Sequence, residues 1–410
     1  MTGILDHVRV LDLSQFLAGP HTTLLLAGMG AEVIRVDNPQ TGDSLSDSPI
    51  YYGSDGPSLE RQDDSSLGIA FLKRSRGKKS ITLDLKSDEG RALFLKLVAR
   101  ADVLVENFSV GVTKRLKIDW PSLQPVNPRL VYCSITGYGA TGPDSQRRGY
   151  DVTTQAMSGL MSITGQPGTP PTKAGSPLAD TIAAGFALSG ILGALFHRQT
   201  ASVGQFVDVS MTDVLFSLIF DEPLDCYRRL GLDYQQGNRI VRFSPLDSFQ
   251  TSDGWMIICC GTDAMWRDLC RIIGRMDLAE HLEWGQMAWR VANNDAVSAV
   301  ISNWTATQST AAATQALENA GVVSSPVQSI DDLLAWPHLQ AREMIQPVVH
   351  PQLGPLDGLK AAGFPIKFSH SATGYTEPAA MTGTHTREVL QAWLDVDDAD
   401  LDDLTARDVI

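Results

Sequence analysis

Asp180 stands at the head of an apolar run. The stretch Gly175-Ser176-Pro177-Leu178-Ala179-Asp180 leads directly into residues 181–200, which are rich in small and apolar side chains. A carboxylate in that place can be a helix N-cap, accepting backbone N–H groups that no carbonyl satisfies. It can also be a nucleophile, ionised at neutral pH and stabilised by the positive end of the helix. The residues alone leave both readings open. A second chemical feature is Lys73-Arg74-Ser75-Arg76-Gly77-Lys78-Lys79, the densest positive run in the chain. Runs of this kind are solvated loops or anion sites. Placed before a strand and carrying a flexible glycine, this one can fold around an anion, with Arg and Lys donating to phosphate oxygens.

Other chemistries find less support. The eight histidines are scattered, with no H-x-x-x-H pair and hence no metal site. No G-x-S-x-G elbow is present. His197, at the end of the apolar run, reads as a partner for a helix C-terminus. Asp37, after the second strand of an opening β-α-β phrase, invites a dinucleotide site, but the loop Ser14-Gln15-Phe16-Leu17-Ala18-Gly19-Pro20 lacks the G-x-G-x-x-G turn. A Rossmann-like fold survives that test; a nicotinamide site does not follow.

Several elements must position these groups. Alternating, branched-rich segments predict strands at 8–13, 32–36, 80–85, 103–106, 130–135 and 206–210. Between them, apolar spacing predicts helices at 21–27, 88–101 with Ser87 as N-cap, 151–164 and 181–200. Strands alternating with helices imply a parallel sheet covered on both faces. An α+β unit is expected over 243–327, a return linker rich in Pro, His and Gln over 336–358, a short helix at 386–394, and a solvated acidic face at 395–403.

Composition sets the outer bounds. The 410 residues include 47 acids and 33 bases, for a formal charge of −14. That balance disfavours nucleic acid or an anionic membrane as partner, while leaving room for one basic pocket. At ~100–200 residues per domain, two or three domains are expected. Five irregularly spaced cysteines do not make a disulfide framework. The start shows no signal-peptide pattern, and the apolar stretch 182–196 is shorter than the ~20 residues that span a bilayer, so it reads as a fully buried core helix. The expectation is a soluble, cytoplasmic protein.

The motifs then take on a family likeness. Val10-Leu11-Asp12-Leu13 with Ala18-Gly19-Pro20, Gly30-Ala31-Glu32-Val33-Ile34-Arg35-Val36, and Lys78-Lys79-Ser80-Ile81 with Leu83-Asp84-Leu85 open the series. It continues through Val105-Glu106-Asn107-Phe108, Ser134-Ile135-Thr136-Gly137-Tyr138-Gly139 with Thr141-Gly142-Pro143, and Pro177-Leu178-Ala179-Asp180, and closes on Gly383-Thr384-His385-Thr386-Arg387-Glu388-Val389-Leu390. In this order, over nearly the whole chain, the sequence resembles the class III coenzyme A transferases (CaiB/BaiF type). That group holds formyl-CoA and carnitine CoA-transferases and the α-methylacyl-CoA racemases.

The resemblance implies an α/β architecture: a Rossmann-like large domain with a parallel sheet, built from 1–220 and 328–410, and a smaller inserted α+β domain at 221–327. It also implies an interlocked homodimer. Asp180 becomes the catalytic carboxylate, forming first an aspartyl anhydride and then an aspartyl-CoA thioester. Coenzyme A, a substrate rather than a permanently bound cofactor, would lie against Lys78, Asn107, Phe108, Arg115 and Leu116. The loop Gln15, Phe16, Leu17, Ala18 would pass the thioester, with Tyr138 near the reacting centre. Leu17 replaces the Gln of formyl-CoA transferases, and the loop Gln235 to Arg239 holds a single glycine, which argues against oxalate. Arg239 is a candidate for a second substrate carboxylate. Tyr150 stands where the racemases place a His, and phenol, with a pKa near ~10, is a poor proton shuttle at neutral pH. The resulting expectation is transfer of CoA from an acyl-CoA such as succinyl-CoA to a small carboxylic or dicarboxylic acid. The alternatives are a 2-methylacyl-CoA racemase or epimerase and a non-catalytic CoA-binding homologue.

Overall fold

Residues 2–410 are described by a computed structural model. Six strands, β1 (Arg9–Asp12), β2 (Glu32–Asp37), β3 (Lys78–Thr82), β4 (Val103–Glu106), β5 (Val131–Thr136) and β6 (Phe206–Ser210), form one sheet. All pair in parallel, in the order β3-β2-β1-β4-β5-β6. That is the order of doubly wound sheets, whose strand direction of growth reverses between β1 and β4 and opens a crevice at the carboxyl ends.

The two-residue period of the strands sorts their side chains to two cores. Val10, Val33, Val103, Val105, Val131 and Cys133 face helices α1 (Ala18–Gly28) and α4 (Leu178–Ala201). Leu11, Ile34, Ile81, Leu104 and Tyr132 face helix α2 (Asp88–Val98) and the C-terminal helices Thr386–Leu394 and Asp398–Ala406. Ser87 caps α2, accepting a hydrogen bond from the Gly90 N–H at 3.0 Å. A short helix, α3 (Asp151–Met157), precedes α4.

Contacts divide the chain into two units. One comprises residues up to Leu160, Lys173–Glu222 and Pro337–Ile410, so both ends of the chain build the large sheet's packing. The other comprises Met161–Thr172 and Pro223–Trp336. Its core is an antiparallel sheet of Leu246–Gln250, Trp255–Cys259 and Val323–Pro326 under helices that bury Trp266, Leu269 and Ile301. Residues 161–172 join it because the Gln235 amide donates to the Thr164 carbonyl and the Gly237 N–H to the Gly165 carbonyl, each at 3.0 Å.

Three expectations change. The stretch read as a linker carries the short helix Pro337–Ala341 and a hairpin of Ile345–His350 with Gly354–Ala362. Pro347 is tolerated there because the hairpin has only two strands, both edges. Helix α3 stops at Met157, and a separate turn of helix covers Leu160–Ile163. Helix α4 spans 24 residues, enough by length and composition to cross a bilayer, and it is not fully buried. Ala179, Ala183, Ala187 and Ile191 pack into the core, while Phe186 and Phe196 are exposed.

Candidate active site

The carboxyl end of β1 delivers Asp12, which is fully buried. It accepts hydrogen bonds from the Ser14 N–H at 3.0 Å, the Ser14 hydroxyl, the Thr23 hydroxyl at 2.5 Å and the Lys78 ammonium at 3.0 Å. Lys78 also donates to the Thr23 hydroxyl and the Pro20 carbonyl. This buried knot ties β1 and β3 to the start of α1 and so fixes the loop between them. Gly19 is required there: a Cβ would fall 2.1 Å from the Ser14 Cβ.

The loop itself is clasped from β4. The Gln15 N–H donates to the Asn107 side-chain oxygen, and the Asn107 amide donates to the Gln15 carbonyl, both at 2.7 Å. Phe16 adopts a φ of +63°, a conformation costly for a residue with a Cβ, and its ring stands exposed. The ring meets Tyr150 edge-on at 6.4 Å between centroids. The Arg74 guanidinium donates to the Phe16 carbonyl at 3.3 Å.

Helix α4 brings Asp180 to this loop. The helix begins at Leu178, so Asp180 lies inside the first turn rather than at the cap, which is Pro177. The N–H groups of that turn are satisfied by Asp151, whose Oδ1 accepts from Ala179 at 2.8 Å and from Asp180 at 3.4 Å. Gln155 holds the other oxygen of Asp151 at 2.7 Å. The Asp180 side chain is thus freed from capping and turned toward a cavity of about 520 Å³. Burial, and then the Asp151 charge, push its pKa up to about 6, against the pull of Arg74.

Nine of the residues expected from sequence line that one cavity: Gln15, Phe16, Leu17, Ala18, Asn107, Phe108, Arg115, Tyr150 and Asp180. Leu116 lines a smaller neighbouring cavity of about 210 Å³, which shares Gln15 and Phe108 with the first. Tyr138 is half-buried beside the site, under the Arg147 guanidinium at 5.3 Å. Arg239 belongs to the second unit, between Asp247 at 2.7 Å and Asp295 at 2.6 Å.

Lys78 requires a correction. Expected on phosphate, its ammonium is wholly inside the fold on Asp12. Arg76 and Lys79 are structural as well. Arg76 donates to the Lys73 and Ala362 carbonyls and covers the Tyr375 ring, and Lys79 pairs with Glu32 and Glu388. Arg74 alone of the run touches the loop that carries Phe16. Sequence reasoning passed over Asp151, Lys86 in the smaller cavity, and the pair Arg147-Arg148 in the larger one. The adjacent arginines, just ahead of Gly149-Tyr150-Asp151, were a visible signal.

A partly buried carboxylate with a raised pKa, at a helix start on the wall of a cavity, suits nucleophilic acyl chemistry. Comparison with known proteins gives the family. Residues 5–386 match the family model described as CoA-transferase family III. A succinyl-CoA:mesaconate CoA-transferase of Haloarcula hispanica is 38% identical over 394 residues, covering 95% of this chain and 96% of its own. A succinate–glutarate CoA-transferase of Agrobacterium fabrum is 36% identical, covering 94% of each chain. A solved CaiB/BaiF family protein from Brucella suis is similar with a TM-score of 0.82 at 31% identity, covering 96% of this chain and all of that one.

Proposed function

The chain belongs to CoA-transferase family III and is a CoA-transferase; we propose that it moves coenzyme A from succinyl-CoA to a small dicarboxylic acid through Asp180. The observation that carries the mechanism is the Asp180 carboxylate itself, half-buried on the cavity wall with its backbone N–H held by Asp151. In the first step the Asp180 carboxylate attacks the thioester carbonyl; the C–S bond breaks, CoA thiolate leaves, and a mixed anhydride forms. The thiolate then attacks the aspartyl carbonyl, releasing the donor acid and leaving an aspartyl-CoA thioester. The acceptor carboxylate displaces the thiolate to form a second anhydride. The thiolate finally attacks the acceptor acyl carbonyl, giving the new acyl-CoA and the free aspartate. Each step exchanges one activated acyl group for another, so no external energy source is needed. Leu17, buried on the cavity wall, helps exclude the water that would hydrolyse the anhydride.

The nucleotide end of CoA is assigned to the smaller cavity. Gln15 and Phe108 line both cavities, Leu116 and Lys86 line the smaller one, and Arg115 lies on the larger one beside Leu116. The substrate assignment follows the relatives, whose names pair succinyl-CoA or succinate with mesaconate and glutarate. Incubation of succinyl-CoA with a panel of short mono- and dicarboxylic acids, with the new thioester followed by chromatography, tests it directly. Absence of transfer to every dicarboxylate would remove this reading.

The same carboxylate predicts a pH profile. Asp180 must be ionised to attack, so kcat/KM should rise with pH around an apparent pKa near 6 and level off above it. Asp151→Asn retains an oxygen acceptor for the helix but removes the like charge, so the acid limb should move to lower pH. An unshifted limb would mean that Asp151 does not tune the nucleophile.

The assembly is assigned as a cytoplasmic homodimer, interlocked as the resemblance implies. Its support is the set of large apolar side chains left uncovered: Phe186, Phe196, Phe216 and Phe220 are all exposed, Phe196 at 81%. Uncovered apolar side chains, where they cluster, mark protein interfaces. Sedimentation should give twice the 44.4 kDa chain mass, and Phe196→Glu should shift the population to monomer. A wild-type monomer at micromolar concentration would refute the dimer.

A further inference from the structure

One buried side chain outside the cavity links both ends of the segment that delivers the nucleophile. Gln155, in the second turn of α3, is closed to solvent. Its side-chain N–H donates to Asp151 Oδ2 at 2.7 Å, and its Oε1 accepts from the Ala174 N–H at 3.0 Å. Asp151 Oδ1 in turn accepts from the N–H groups of Ala179 and Asp180. The stretch from Ala174 to Asp180 is therefore tied at its start by Gln155 directly and at its end through Asp151. Between the ties, Gly175, Ser176 and Pro177 are exposed, so packing does little to hold them.

The two partners also dictate which way the amide faces. A backbone N–H can only donate, so the Ala174 side takes the oxygen. The –NH2 group is left for Asp151, which accepts at both of its oxygens. Turning the amide over would set donor against donor and oxygen against carboxylate. Asp151 is thereby fixed as the acceptor, and Asp180 is the neighbouring carboxylate presented to the cavity. The charged groups around this link are Asp151 on α3 itself, Asp180 on α4, and Lys173, which is exposed and donates to the Ala174 carbonyl. Asp213, on the helix Met211–Ile219 that also packs on α3, is exposed to solvent.

We infer that Gln155 is a positioning residue for CoA transfer, setting the Asp180 carboxylate through Asp151 and through the approach at Ala174. The inference rests on the reading of Asp180 as the nucleophile and adds the buried support on which that nucleophile depends. An apolar side chain at this place would leave the Asp151 oxygen and the Ala174 N–H without their partner. Gln155 lines neither cavity, so its effect falls on kcat rather than on acyl-CoA binding.

The test compares Gln155→Leu and Gln155→Glu with the wild-type full chain, using succinyl-CoA and the best acceptor of the dicarboxylate panel. Gln155→Leu removes both ties and should lower kcat about ten- to a hundredfold, with the KM for succinyl-CoA within about twofold of wild type. Gln155→Glu separates positioning from packing, because Glu keeps the size and the acceptor for Ala174. Burial and the Asp151 charge raise the pKa of the new carboxyl, so at low pH its O–H donates to Asp151 in place of the amide. As pH rises it ionises, and two carboxylates face each other. The ratio of its kcat to that of wild type should therefore be near one at low pH and fall about tenfold as pH rises, recovering when pH is lowered. A packing role would lower kcat by one factor at every pH, and that result would overturn the proposal. Wild-type kcat in Gln155→Leu, or a raised KM for succinyl-CoA with kcat unchanged, would overturn it as well while leaving CoA transfer intact. Should Gln155→Leu fail to fold, the near-isosteric Gln155→Glu decides alone. If the wild-type enzyme transfers CoA to no acid, or Asp180→Ala is fully active, the parent reading falls instead.

Discussion

Replacing Asp180 by Ala or Asn should abolish CoA transfer, lowering kcat on the order of 10⁴-fold or more, the scale seen when a covalent nucleophile is deleted. The two variants should also fail to give the adduct that wild-type enzyme forms with succinyl-CoA, which hydroxylamine converts, with release of CoA, to a hydroxamate at residue 180 that mass spectrometry locates. Asn is the more informative change because it keeps the shape. Burial raises the folded-state pKa of Asp180 from 3.8 to about 6, so between those values the folded chain holds a proton that the unfolded chain has lost. Stability therefore falls as pH rises through that window, and above it the ionised side chain costs up to about 3 kcal/mol. Asp180→Asn removes the charge. Its unfolding midpoint in denaturant should exceed wild type at pH 8 and match it near pH 3.5, where both side chains are neutral. An inactive variant that gains no stability at high pH would mean that the carboxylate is better solvated than its position implies. Full transfer activity in either variant would end the proposed mechanism. The expected opposition between activity and stability is what a partly desolvated nucleophile produces.

The elements that place Asp180 were legible where local pattern and tertiary demand coincide. Val103–Glu106, Phe206–Ser210 and Thr386–Leu394 occur as their spacing predicts, because their alternating or helical apolar faces are the faces that the two cores bury. The cavity's first wall came through the family resemblance, and Gln15 to Ala18 and Asn107-Phe108 do follow the carboxyl ends of adjacent strands, where open α/β sheets bind ligands. What escaped depends on contacts remote in sequence. Asp151 lies 29 positions from Asp180, and only the packing of α3 against α4 makes it the acceptor for the latter's N–H. The early start of α4 has the same origin: once Asp151 satisfies the first-turn donors, the helix can begin at Leu178 and Asp180 need not cap it. The exposed side of α4 was invisible for another reason. Small and apolar residues look alike whether they meet the chain's own core or another chain, and Phe196 belongs to the second case under the dimer reading.

Lys78 shows how far a charge run can mislead, and it carries the second large expected effect. The strand begins at Lys78 rather than at Ser80, so strand parity sets Lys78, Ser80 and Thr82 on one face and Lys79 and Ile81 on the other. On its face the ammonium meets Asp12, Thr23 and the Pro20 carbonyl, and both members of the ion pair are closed to solvent. Burial pulls the Lys78 pKa down and Asp12 pulls it back up. Lys78→Met removes the cation and leaves the Asp12 carboxylate buried without its charge partner, a change that costs about 3–5 kcal/mol in comparable buried pairs. Denaturant unfolding should show that loss. Adding Asp12→Asn to Lys78→Met should recover part of it, since the stranded charge is then gone and the side-chain oxygen still accepts from Ser14. The folded fraction of Lys78→Met should keep a near-normal KM for acyl-CoA and lose kcat as the Ser14–Leu17 loop loosens. A stable Lys78→Met protein with a strongly raised KM for acyl-CoA would return Lys78 to the phosphates. The knot would then be a passing arrangement of the free enzyme rather than the support on which the catalytic loop is built.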